Sequence, residues 1–162
     1  MSNITINLNN RETFTTTYDV INLIEVFKSQ IDQENIISDS SQLVIVNKYI
    51  LDDDLNLVLS SLTLYLSGEN KQSDLPQPMP IDKSFDDLVQ EVWEKHIVEE
   101  INCREEEDER VKYAIKMATI CDYLCCVLLK NFFCAYVGSW MRRNDNNEVK
   151  SFFERAGMIV EE

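Results

Sequence analysis

The sequence predicts an α+β domain with a helical C-terminal part, on three observations. Alternating or β-branched apolar runs are confined to the residues before Asn47. Apolar stripes at helical spacing recur from Val20 onward. No proline interrupts the chain between Arg110 and Arg143.

Ile4, Ile6 and Leu8 alternate with polar residues, and a threonine-rich run around Phe14 follows the turn signal "NNR". That pattern predicts a short antiparallel hairpin. Val20, Leu23, Ile24 and Phe27 then mark one face of a single helix over "DVINLIEVFKS", and the polar "QIDQENIISDSS" predicts a loop. "QLVIV" at 42–46 is the pattern of a short buried strand. The next helix carries Leu55, Val58, Leu59, Leu62, Tyr65 and Leu66 on one stripe. Aspartates stand at its positive end, and Gly68 is placed to stop it.

All three prolines lie in "PQPMP", residues 76–80, within a polar stretch that separates two halves of the chain. Phe85, Leu88, Val89 and Val92 predict a further helix capped by Ser84, with the acidic connection "EEINCREEEDER" after it. An unbroken helix from Arg110 to Arg143 would be too long for a compact domain, so a break is expected inside it. The last helix is expected to have Asp145 as cap and Glu148 three residues on. Val149, Phe152, Phe153 and Ala156 form its stripe, and Gly157 ends it.

A chain of 162 residues suits one domain. Its 29 acidic and 15 basic residues give a formal charge of -14, which repels phosphate backbones and anionic membrane faces. A basic partner is expected, not a nucleic acid or a membrane. "MSNITINLNN" lacks the basic and apolar regions of a secretory leader, and no apolar run reaches the roughly 20 residues that span a bilayer. The expectation is a soluble intracellular protein with reduced thiols.

Candidate chemistry is sparse. Four of the five cysteines fall in "ATICDYLCCVLLKNFFCAY". A metal site and a redox device are the alternatives to buried structural thiols. The spacing lacks the paired knuckles zinc needs, which favours the thiols as small hydrophobes. His96, the single histidine, continues an apolar stripe, and nothing near it in sequence supplies a nucleophile or an orienting partner. Three scattered glycines form no phosphate-cradling loop. Trp93, Trp140, Phe132 and Phe133 are expected in the core, the acidic "EEEDER" at a solvated helix start, and Arg142 and Arg143 against the last carbonyls of their helix. No catalytic residue, cofactor or metal is assigned. An interaction protein is expected in preference to an enzyme.

The stretch "MATICDYLCCVLLKNFFCAYVGSWMRRNDNNEVKSFF" resembles the C-terminal helical region of the Skp family, adaptors of cullin-RING ubiquitin ligases that hold F-box proteins. "DYL" is similar to the family's "NYL", Cys134 falls where a cysteine recurs, and "EVKSFF" resembles "EIRKTF". Earlier segments follow the family order: the hairpin, "DVINLIEVFKSQI", "QLVIV", the proline-containing insert, and "VWEKHIV" beside the family's "VWDQEFL".

The resemblance implies a BTB/POZ fold over residues 1–126, with a variable insert at about 68–81. Residues 127–162 would be a shortened C-terminal helical region for dimerisation and F-box binding. Cys125 and Cys126 would fall near a helix junction and Cys134 on the following helix, all as packing residues. Asp122 and Tyr123 would face a cullin N-terminal domain, with Asp122 standing where the family has asparagine. Leu129, Phe133, Cys134, Val137, Val149 and Phe153 would form the F-box platform. "RRNDNNEVK" replaces the family's "GKTPEEIR", and the acidic closing helix of the family does not follow. The implied function is a non-catalytic ubiquitin-ligase adaptor in the cytoplasm or nucleus, able to form a homodimer without an F-box partner. An elongin C-like adaptor and a decoy scaffold keeping one of the two surfaces are the alternatives.

Overall fold

The computed structural model describes residues 3–34, 42–68 and 84–155. Strands β1 (Asn3–Leu8) and β2 (Glu12–Thr17) form the expected antiparallel hairpin, and β3 (Gln42–Ile45) joins β1 in parallel, giving the order β2-β1-β3. Asn9 and Asn10 turn the hairpin with φ of 55° and 59°, a left-handed conformation that asparagine tolerates. Asn9 also fastens the hairpin to the end of β3: its Oδ1 accepts from the Asn47 N–H at 2.6 Å, and its Nδ2 donates to the Asn47 carbonyl at 2.9 Å.

The sequence predicted one helix over residues 19–29. Two form instead, α1 (Tyr18–Ile21) and α2 (Glu25–Glu34), offset at residues 22–24 so that Val20, Ile21, Ile24 and Phe27 all reach the core. The polar tail assigned to a loop is helical as far as Glu34. β3 is buried on one face only. Leu43 and Ile45 point inward, whereas Val44 and Val46 are exposed, the alternation of a sheet covered on a single side.

Helix α3 (Asp52–Ser67) follows as expected. Asp54 is the aspartate that caps it, its Oδ2 accepting from the Leu51 N–H at 3.0 Å and from Lys116 Nζ at 2.9 Å. The predicted helix at Phe85–Val92 is again two pieces, α4 (Phe85–Leu88) and α5 (Val92–Asn102). Ser84 makes no side-chain cap bond, Val92 is exposed, and the supposed connection from Glu99 is helical through Asn102. The proline stretch, Ala156 and Gly157 lie outside the described residues.

The expected break in the long C-terminal helix falls between α6 (Glu107–Leu124) and α7 (Val127–Arg143). Cys125 takes φ 56° and ψ 40°, its N–H donating to the Asp122 carbonyl at 3.1 Å and the Cys126 N–H to the Cys121 carbonyl at 2.9 Å. This paired closure is the usual ending for glycine, here made by a cysteine. Helix α8 (Asn146–Arg155) begins as predicted, with Asp145 Oδ1 accepting from the Glu148 N–H at 2.8 Å.

A single apolar core runs from Ile4 to Phe152. Phe85 meets Phe132 and Tyr136 edge to face within it, Trp93 packs on Phe132 at a tilt, and Trp140 packs on Phe152 with ring centroids 4.8 Å apart. The division expected at 126/127 coincides with the α6–α7 turn, but the core continues across it.

Candidate functional site

Helices α6 and α7 lie side by side as an antiparallel hairpin, and their outer faces leave an apolar groove of about 430 Å³. Ile115, Ala118, Thr119 and Asp122 line it from α6, and Lys130, Cys134, Val137, Gly138 and Met141 from α7. These positions are three or four residues apart on each helix, so they share one face of it. The walls are apolar, and two positions are small. A Cβ built on Gly138 would meet nothing within 4 Å. The rim near the helix turn is charged: Lys130 Nζ donates to Asp122 Oδ1 at 2.8 Å, and this bond raises the Lys130 pKa above the usual lysine value.

The sequence-predicted residues distribute unevenly. Cys134 and Val137 line the groove. Leu129 and Phe133 do not, at 1% and 0% exposure; they face the core because α7 is apolar on more than one side. Val149 and Phe153 are half-buried on α8, with Phe153 against Trp140. Asp122 is exposed but shares the groove with Cys134 and Val137, although sequence reasoning gave it to another partner. Tyr123, 45% exposed, and Val127, 64%, form an apolar knob at the hairpin end. The groove residues Ile115, Ala118, Gly138 and Met141 were missed. Their spacing on α6 and α7 was visible, but the face turned away from the core was not.

The thiols divide in the same way. Cys121 and Cys126 are buried as expected, whereas Cys125 and Cys134 are exposed, which corrects their reading as packing residues. Burial pushes the Cys126 thiol up to about 11, and burial with the neighbouring Cys126 and Cys134 raises Cys121. Neither buried thiol is a nucleophile at neutral pH. Among the described residues no group of three or more His, Cys, Asp or Glu side chains is placed to hold a metal.

His96 does have a hydroxyl neighbour, contrary to expectation: Ser60 Oγ lies 3.0 Å from Nε2. Ser60 Oγ also lies 3.2 Å from the Leu57 carbonyl, and the direction of its bond to Nε2 follows the imidazole tautomer. The pair ties α3 to α5.

A second, polar recess of about 360 Å³ lies at the opposite end of the hairpin, where α8 crosses. There Trp140 Nε1 donates to Glu107 Oε1 at 2.7 Å, and Arg155 pairs with Asp108 at 3.1 Å. The first contact ties α7 to the start of α6, and the second holds α8 against it. Among the described residues no helix is long and apolar enough to cross a membrane. The chain matches no protein-family model and no curated protein.

Proposed function

We propose that this protein is a non-catalytic adaptor of the Skp type, a BTB/POZ-fold module linking an F-box-type substrate receptor to a cullin scaffold in a ubiquitin ligase. The apolar groove between α6 and α7 carries the reading. An apolar groove between helices suits an amphipathic helix laid into it, and small residues such as Ala118 and Gly138 let a partner backbone come close. Ile115, Val137 and Met141 supply apolar area, and the Asp122–Lys130 pair fixes orientation at the rim. The exposed Tyr123 at the hairpin end is the aromatic anchor for a cullin N-terminal domain. The protein acts by proximity, holding a substrate near a charged ubiquitin-conjugating enzyme while making and breaking no bond itself.

The test is co-purification of the full chain with a cullin N-terminal domain and, separately, with an F-box protein, with complex masses from light scattering. The expected result is both binary complexes and a one-to-one-to-one ternary complex. Binding of neither partner overturns the proposal.

A specific observation favours a second reading. Asp122 shares its groove with Cys134 and Val137, so a partner seated on Asp122 would cover the proposed receptor platform. A scaffold that holds one partner at a time follows from that geometry. Mutually exclusive binary complexes in the same experiment would select it.

A further inference from the structure

We propose that the outer edge of β3 is a separate docking surface, which takes an extended, lysine-rich segment of a partner protein as a fourth strand. This inference rests on the sheet alone and is independent of the α6–α7 groove. Among the described residues the order β2-β1-β3 leaves β3 at one edge. Successive main-chain groups of a strand point to opposite sides, and Ile45 faces β1, its carbonyl accepting from the Asn9 N–H at 2.8 Å. Val44 therefore points its N–H and C=O outward. Both are taken by one side chain from α2: Gln30 Oε1 accepts from the Val44 N–H at 3.3 Å, and Gln30 Nε2 donates to the Val44 carbonyl at 3.1 Å.

A carboxamide carries the donor and acceptor of one peptide group. Gln30 thus fills the place of one residue of a neighbouring strand, from a half-exposed side chain on α2. The flanking surface is apolar. Val44 on β3 and Val46 just after it are 42% and 70% exposed, where native edge strands ordinarily carry charge or proline, and Tyr49 and Leu51 in the segment leading to α3 are 71% and 50% exposed. Lys48 lies over the Tyr49 ring at 5.2 Å. Main-chain bonding gives affinity in strand addition, and alternate side chains give specificity.

Charge selects the occupant. Asp52 and Asp53 stand exposed just beyond Leu51, and the chain carries a formal charge of -14. A second copy with the same charge is repelled, whereas a lysine-bearing strand is attracted.

The probe is a short fluorescein-labelled peptide alternating valine with lysine, titrated into the full chain and followed by anisotropy. Controls are the same peptide N-methylated at alternate residues, and a version with glutamate for lysine. The expected result is saturable binding that either control weakens by about tenfold or more, through lost main-chain bonds or reversed charge. Gln30→Ala should tighten binding about three- to tenfold, since the competing carboxamide is gone. Val46→Lys, at an exposed position where the fold tolerates it, should weaken binding by about tenfold. Equal binding of the N-methylated peptide, or unchanged or weaker binding to Gln30→Ala, overturns the proposal. So does a concentration-dependent dimer dissolved by Val46→Lys, which would assign the edge to a second copy of the chain.

Discussion

Gly138→Ala should make the free protein more stable while it weakens partner binding, an opposed pair of effects that few substitutions give. Glycine inside a helix is less favourable than alanine by about 0.8–1 kcal/mol, through backbone entropy. Gly138 lies within α7, and a Cβ there meets no atom within 4 Å, so no steric term offsets the gain. For a chain of this length about 1 kcal/mol corresponds to a rise in Tm of about 2–4 °C. The added methyl projects into the groove. A partner helix seated closely enough to use the glycine gap is overpacked by about 1–3 kcal/mol, roughly a fivefold to hundredfold loss of affinity. Scanning calorimetry and titration calorimetry against an F-box protein read the two effects separately. An unchanged or lowered Tm would refute the helix argument, and a raised Tm with unchanged affinity would show that the groove is not where the receptor sits.

Five more substitutions, at four positions, test the surrounding structure. Tyr123→Ala should weaken cullin binding by about 2 kcal/mol or more and leave F-box binding intact; circular dichroism should not change, because the ring is 45% exposed, and equal loss of both partners would instead indicate a folding defect. Asp54→Ala removes the α3 cap and the link to Lys116 from a carboxylate only 4% exposed. It should lower unfolding free energy by about 2–4 kcal/mol in urea, whereas Asp54→Asn, which keeps an acceptor for the Leu51 N–H, should lose about half of that. Cys125→Gly relieves a left-handed non-glycine residue and should raise stability by about 1 kcal/mol in the same assay. The buried thiols predict a pH dependence: unfolded, Cys126 ionises near 9.0, and folded it is held up to about 11. The stability it contributes is whole below pH 9.0 and falls as pH rises toward 11, so Cys126→Ala should flatten the decline of Tm across that window.

Much of the fold was legible because local rules fixed it. The alternation of Ile4, Ile6 and Leu8, the cap at Asp145 and the stripe from Leu55 to Leu62 all appear where the sequence placed them. Each of these signals is complete within a few residues. The errors came where continuity in sequence concealed a change of direction. Residues 22–24 and 89–91 lie between segments that share an apolar period, and the period alone does not show that two short helices, offset from one another, bury more than one. The α6–α7 break was expected but could not be located, since its signal is normally glycine and here a cysteine supplies the left-handed residue.

The site was less legible than the fold. The residues of α7 were identified as important, but the helix is apolar around much of its circumference, and only its packing on Phe85, Trp93 and Phe152 decides which side is core. That packing buries Leu129 and Phe133 and turns Cys134, Val137 and Met141 outward. The sequence by itself determined the α+β composition, the strong negative charge and the identity of most helices, because these depend on residue type and short-range spacing. Only the tertiary structure decided which apolar residues are core and which are surface. It also brought Asp122 beside Cys134 and set Gln30 on the edge of β3, because those choices depend on partners distant in the chain.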